Sequence, residues 1–126
     1  MTIELRKAAA QTRTFKTVFP GETNHYDTLF GGVALLWMDE VAFMAATRFA
    51  RKKVVTVSSD KVNFKVPIPV GSLVELDAQI GHVGRTSVEV KIDVYIEDMF
   101  SDKRQLALSG SFVLVAVDEK KEKVEI

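Results

Sequence analysis

The pattern of apolar residues predicts an α+β domain in which one long, buried helix lies against one curved antiparallel sheet of five strands. Three observations carry this. From Val33 to Ala50, 14 of 18 residues are apolar, and they surround the helix rather than forming one stripe, as in a helix enclosed by other structure. Beyond Arg51, apolar and polar residues alternate in successive runs, the period of strands with one buried face. The links between these runs are too short for crossover helices, so neighbouring strands pair antiparallel. A length of 126 residues fits one domain with its own core, so residues 1–126 read as a single domain ending in a charged tail, about 118–126.

The first strand is short: Phe15, Thr17 and Phe19 alternate with Lys16 and Val18 until Pro20-Gly21 stops them. A loop, Glu22 to Phe30, leads into the helix, about Gly31 to Arg51. The cluster Arg51-Lys52-Lys53 marks the helix end, where positive charge is favourable. Val54 to Val57 begins a strand that runs on through Val62, Phe64 and Val66, alternating with Lys61, Asn63 and Lys65, until Pro67 and Pro69 break it. Val74 to Ile80 and, after Gly84-Arg85, Val88 to Ile96 are the cleanest alternations. The last strand, about Gln105 to Val117, turns apolar on both faces from Phe112 onward, which asks for cover on both sides. The tail Asp118 to Ile126 is mostly charge and reads as solvated or loosely helical. Five strands cover one side of a helix that is apolar all round, so the missing cover implies at least a homodimer, with a site that draws residues from both chains.

Composition excludes several classes of function. Seventeen basic residues balance seventeen acidic ones, so no overall field attracts nucleic acid or an anionic membrane surface, and neither is expected as a partner. The absence of cysteine removes disulfides, thiolate metal sites and a cysteine nucleophile, and two histidines leave little for a metal site. No metal or redox cofactor is expected. Met1 to Thr14 carries Glu4, Arg6, Lys7 and Arg13 around a brief alanine run, unlike a signal-peptide core, so a cytoplasmic location is expected. Asp39, Glu40 and Arg48 argue against the helix crossing a membrane.

The chemistry-bearing residues cluster around this helix. Gly31-Gly32 at its start leaves backbone N–H groups free at the positive end of the helix dipole, where they can hold a carbonyl oxygen as it becomes negative. The plainer reading is that two glycines let the helix start close to a strand. Asp39 lies about two turns further on. A carboxylate in so apolar a helix is either a partnered structural residue, with Arg48 one available partner, or a general acid/base group. Glu40 points about 100° away and reads as solvated. Asn24, in the loop feeding the helix, can orient a water or bond a substrate carbonyl, although asparagine in loops usually forms turns. His25 and His82 lack a serine or cysteine at nucleophile spacing and read as structural or solvent-facing. Trp37, Met38, Phe43, Met44 and Phe49 can line an acyl pocket or pack the core. Lys61, Lys65, Arg85, Lys103 and Arg104 can meet phosphates, but each reads first as solvated surface charge. Gly84-Arg85-Thr86-Ser87 combines a turn, a guanidinium and two hydroxyls, suited to a phosphate or an amide.

Taken in order, Thr23-Asn24-His25-Tyr26, Leu29-Phe30-Gly31-Gly32, Trp37-Met38-Asp39, Asp60-Lys61-Val62-Asn63-Phe64, Pro67 to Gly71 and Gly84-Arg85-Thr86-Ser87 resemble the hotdog-fold acyl-CoA thioesterases of the cytosolic acyl-CoA hydrolase type. The resemblance spans about Phe15 to Val117. It implies a sheet wrapped around a central helix, dimers that assemble further into hexamers, and hydrolysis of an acyl-CoA thioester. It implies that Asp39 activates water or attacks the carbonyl, that Asn24 joins the site from the opposite subunit, and that Gly32 polarises the thioester carbonyl. Gly31, Phe30, Asp60, Arg85, Thr86 and Ser87 are then expected to contact substrate, the Arg85-Thr86-Ser87 turn meeting coenzyme A. One departure stands out: Asp27 occupies a position where such proteins usually carry a small residue, often glycine. Phe30 separates the chain from hotdog branches that place histidine before the glycines, and so from dehydratase-type chemistry. The competing readings are a module that binds acyl-CoA without hydrolysing it and a structural oligomer with a vestigial site.

Overall fold

A computed structural model describes residues 1–126. In chain order the elements are helix α1 (Ile3–Ala10), strand β1 (Thr12–Thr17), a short 3-10 turn (Pro20–Glu22), helix α2 (Gly31–Ala50), and strands β2 (Val54–Phe64), β3 (Leu73–Val83), β4 (Ser87–Glu97) and β5 (Arg104–Ala116). All five strands form one antiparallel sheet in the spatial order β1-β3-β4-β5-β2. The alternation in β3 and β4 puts Val74, Leu76, Ala78, Val88, Val90, Ile92 and Val94 on the buried face. There they meet Trp37, Met38, Val41, Ala42, Ala45 and Phe49 of α2 in one continuous core.

The expected long helix is present, but this chain covers only one side of it. Leu36, Phe43 and Met44 of α2 remain exposed at 56%, 48% and 43%. Beside them runs β2, an edge strand of 11 residues whose Val55, Val57 and Phe64 are also exposed. An uncovered apolar helix face next to an unpaired strand edge is a surface that monomers usually avoid.

Strand β2 departs from simple alternation at two register shifts against β5, between Thr56 and Ser58 and between Asp60 and Asn63. Each inserts one extra residue, so each reverses the side that the following residues face. Thr56 pairs with buried Leu114, Ser59 with buried Phe112 and Phe64 with buried Leu108, while Asp60 pairs with Ser111 on the outward-facing phase of β5. Lys61 takes a left-handed conformation, φ 54°, at the second bulge. The neighbouring strand accommodates it at Gly110, where a Cβ would lie 3.0 Å from both Met38 Cε and Val62 Cγ2. A Cβ at Gly110 would require Met38 and Val62 each to give way by a few tenths of an ångström.

Two expectations are corrected at the termini. Residues Ile3–Ala10 form a helix, capped by the Thr2 hydroxyl accepting from the Leu5 N–H at 3.2 Å. It is held by arginines rather than by an apolar stripe. Arg6 donates to the Phe49 carbonyl at 3.1 Å and lies over the Phe49 ring, and Arg48 donates to the carbonyls of Ala9 and Gln11 and to the Thr12 hydroxyl. Strand β1 accordingly starts at Thr12, before the expected Phe15, and ends at Thr17. The tail is neither loose nor helical. Asp118 accepts from the N–H groups of Lys120 and Glu122 in a tight turn, and the chain returns so that Val117 pairs with Lys123 and the Val124 N–H donates to the Ala116 carbonyl. The tail therefore supplies part of the cover that the apolar end of β5 required.

Candidate active site

Helix α2 begins without a side-chain cap. Phe30 is extended and its carbonyl accepts from Val33 and Ala34, so the N–H groups of Gly31 and Gly32 have no partner. The two glycines are not equivalent. A Cβ on Gly31 would touch the Phe64 ring at 3.5 Å, whereas one on Gly32 would meet nothing. Gly32 opens into a groove of about 430 Å³, lined by Leu35, Leu36, Asp39, Thr56, Ser59 and Phe112 among others. Seven residues separate Gly32 from Asp39, which places them on one helix face about 10.5 Å apart along the axis. The sequence thus brings the free-donor end of the helix, at Gly32, and a carboxylate to the same groove.

Asp39 is half-buried and its Oδ1 accepts a 2.7 Å hydrogen bond from the Thr56 hydroxyl. Arg48, its available ion-pair partner, is instead engaged with α1 and β1, so Asp39 carries no compensating cation in this chain. Thr56 reaches Asp39 because it stands just before the first β2 bulge, on the helix side of the sheet. Sequence reasoning missed Thr56. A threonine within Val-Val-Thr-Val looks like any strand residue, and only the fold brings it to a partner 17 positions away. Beyond Asp39 the groove continues into a hollow of about 350 Å³ between Asp39, Glu40, Phe43, Met44 and Thr56.

The other expected site residues lie apart from this groove within one chain. Asn24 Oδ1 accepts from the Tyr26 and Thr28 N–H groups and the Thr28 hydroxyl, which is the turn-forming role, and its amide donor is left free. Asp27 next to it adopts φ 60°, a conformation glycine enters freely and aspartate tolerates. Phe30 is exposed beside the glycine pair. Asp60 is turned to the outer face by the first β2 bulge, and Ser111, opposite it, lines an outer hollow together with Lys61 and Lys91. The Gly84–Ser87 turn is tight: the Gly84 N–H donates to the Ser87 carbonyl at 2.8 Å, and a Cβ at Gly84 would fall 2.7 Å from the Ser87 hydroxyl. Arg85 is exposed without an ion pair, at the end of the fold where α2 finishes. His25 stacks on Tyr26 at the surface, and His82 is exposed. A larger hollow, about 570 Å³, lies between Pro69–Ser72 and the turn joining β4 to β5, but it contains neither Asp39 nor the free helix donors. No three His, Asp or Glu side chains gather closely enough to hold a metal ion, and no helix is long and apolar enough to cross a membrane.

Comparison with known proteins points in one direction. Residues 26–99 match the family model described as the thioesterase superfamily. An uncharacterized acyl-CoA thioester hydrolase of Bacillus subtilis is 35% identical over 118 residues, covering 92% of this chain and 69% of its own length. The protein VdlD of Helicobacter pylori is 41% identical over 104 residues, covering 82% of this chain, which spans 60% of that protein. Among solved structures, an acyl-CoA hydrolase of Staphylococcus aureus in complex with butyryl coenzyme A, coenzyme A and coenzyme A disulfide superposes with a TM-score of 0.90 at 33% identity, covering 94% of this chain and 73% of that one. A hexameric acyl-CoA thioesterase superposes with a TM-score of 0.91 at 36% identity, covering 94% and 76%. Alanine variants of the Staphylococcus aureus hydrolase have been solved at an asparagine, an aspartate and a threonine, successively 15 and 17 positions apart. Asn24, Asp39 and Thr56 have the same spacing.

Proposed function

The chain belongs to the thioesterase superfamily, and from that membership we propose that it hydrolyses acyl-CoA thioesters to free coenzyme A and a carboxylic acid, with Asp39 as the acid/base group. The observation that carries this reading is the shared groove of Gly32 and Asp39, with Thr56 fixing the carboxylate. The thioester carbonyl accepts from the free N–H groups at the start of α2, where the helix dipole and two donors favour the oxyanion of the tetrahedral intermediate. About 10.5 Å of helical rise separates Gly32 from Asp39, and a helical side chain leans back toward the helix start, so a carbonyl held there lies on the side that Asp39 faces, where the carboxylate can deprotonate a water for attack. Thr56 donates to Oδ1 and leaves the second carboxylate oxygen for that water. The apolar arm along Phe43 and Met44 suits the acyl chain. Arg85, Thr86 and Ser87 suit the coenzyme A phosphates and amides.

Asn24 enters the site from a second copy of the chain. Its free amide donor, its distance from the groove in one chain and the exposed α2 and β2 surfaces beside Asp39 all support a dimer as the minimal unit, and hexameric relatives support further assembly. Asn24→Asp keeps an oxygen for the three accepted hydrogen bonds and replaces the amide donor by a charged carboxylate oxygen. Co-expressing Asn24→Asp with Asp39→Ala, each inactive alone, is expected to restore about one quarter of wild-type turnover, because half of all dimers are mixed and each mixed dimer carries one intact site of its two. If both residues act within one chain, the mixture stays as inactive as its parents.

A further inference from the structure

The segment Val124–Ile126 ends against the one turn expected to meet coenzyme A. The Val124 N–H donates to the Ala116 carbonyl at 3.0 Å, the Ile126 N–H donates to the Arg85 carbonyl at 3.0 Å, and the half-buried Ile126 side chain packs on the core. Lys52 reaches across from the end of α2 and donates to the Glu125 carbonyl. From the other side the Thr86 carbonyl accepts from the Ala116 N–H, the residue the tail also grips. Arg85 itself has no ion pair, so nothing on the side chain fixes its direction; its backbone is held by the tail. We propose that Val124–Ile126 acts as a strap that holds the Arg85–Ser87 turn in the form that takes the coenzyme A phosphates, making Ile126 a positioning residue for the nucleotide end of the substrate.

This rests on the reading that the turn binds coenzyme A. A guanidinium on a tethered turn loses less freedom on binding than one on a loose turn, so releasing the strap weakens ground-state binding and leaves the distant chemistry at Asp39 alone. Ile126→Pro removes the one N–H that reaches Arg85 and keeps an apolar side chain; deletion of residues 124–126 removes the whole strap. Each is assayed on butyryl-CoA and on butyryl-N-acetylcysteamine, which has the thioester and no nucleotide, beside Arg85→Ala. In both strap variants KM for butyryl-CoA is expected to rise about tenfold with kcat unchanged, and turnover of the truncated thioester to stay at the wild-type value. The proposal is overturned if both substrates lose activity together in the proline variant, or if neither is affected while Arg85→Ala raises KM. If Arg85→Ala leaves KM for butyryl-CoA unchanged, it is the assignment of the turn to coenzyme A that fails, and the strap proposal falls with it.

Discussion

Asp39→Asn is expected to lower kcat for acyl-CoA hydrolysis by about 10²- to 10⁴-fold, the usual worth of a positioned general base. The fold has no reason to suffer. Asp39 is half-buried, carries no ion pair, and its single hydrogen bond comes from the Thr56 hydroxyl, which an amide oxygen accepts equally well. The melting temperature and the oligomer size in gel filtration should therefore match the wild type while thiol release collapses. Thr56→Val, close to isosteric, removes the donor that fixes the carboxylate. It is expected to cost about tenfold in kcat, in keeping with about 1.5 kcal/mol for a hydrogen bond to a charged group. A Thr56 effect larger than that of Asp39 would reverse their assigned roles. Asp39→Asn turnover within a few-fold of wild type would leave the carboxylate structural.

Gly32→Ala should separate stability from activity. Alanine in a helix is favoured over glycine by about 0.5 to 1 kcal/mol, and here the added Cβ meets no atom of the chain, so the urea midpoint should rise. The same methyl group projects into the groove where the carbonyl must approach the free N–H groups. Pushing that oxygen off its donors is expected to lower kcat by about 10²- to 10³-fold, the loss typical of removing one oxyanion donor. Gly31→Ala is the internal control: its Cβ would rest against the Phe64 ring at 3.5 Å, outside the groove, and should cost far less activity. A more stable Gly32→Ala protein that hydrolyses like the wild type would mean that the glycine serves packing and that the carbonyl binds elsewhere.

The parts of the fold legible in the sequence are those set by local periodicity. The apolar run of α2 and the alternation of β4 mark their elements to within one residue, and that of β3 marks its start but stops three residues short of Val83, because burial against one sheet imposes those periods. Helix α1 escaped because eight residues without an apolar stripe are held by Arg6 and Arg48, contacts that join positions 36 to 43 apart. The tail escaped because its charged residues outnumber Ile126, whose side chain packs on the core, and Val124, held through its backbone N–H. The first bulge leaves no mark on a run of Val, Ser and Asp, so the outward turn of Asp60 was not readable, and nothing local in the sequence joins Thr56, on the inward phase before that bulge, to Asp39. At the site, Asp39 and the glycine pair stand out because each breaks the pattern of an otherwise apolar helix. The turn-forming role of the Asn24 carbonyl oxygen is ordinary from sequence, and one chain gives its free amide no partner.

The central claim is that this groove breaks thioesters rather than merely holding acyl-CoA. The most direct measurement is free-thiol release by the wild-type protein across a panel of acyl-CoAs of increasing chain length, with binding of each followed in parallel. Hydrolysis predicts one thiol released per acyl-CoA consumed, at a rate proportional to protein concentration, for at least one chain length. Saturable binding across the panel with no thiol released above the uncatalysed rate would contradict it and leave a protein that senses acyl-CoA without cleaving it.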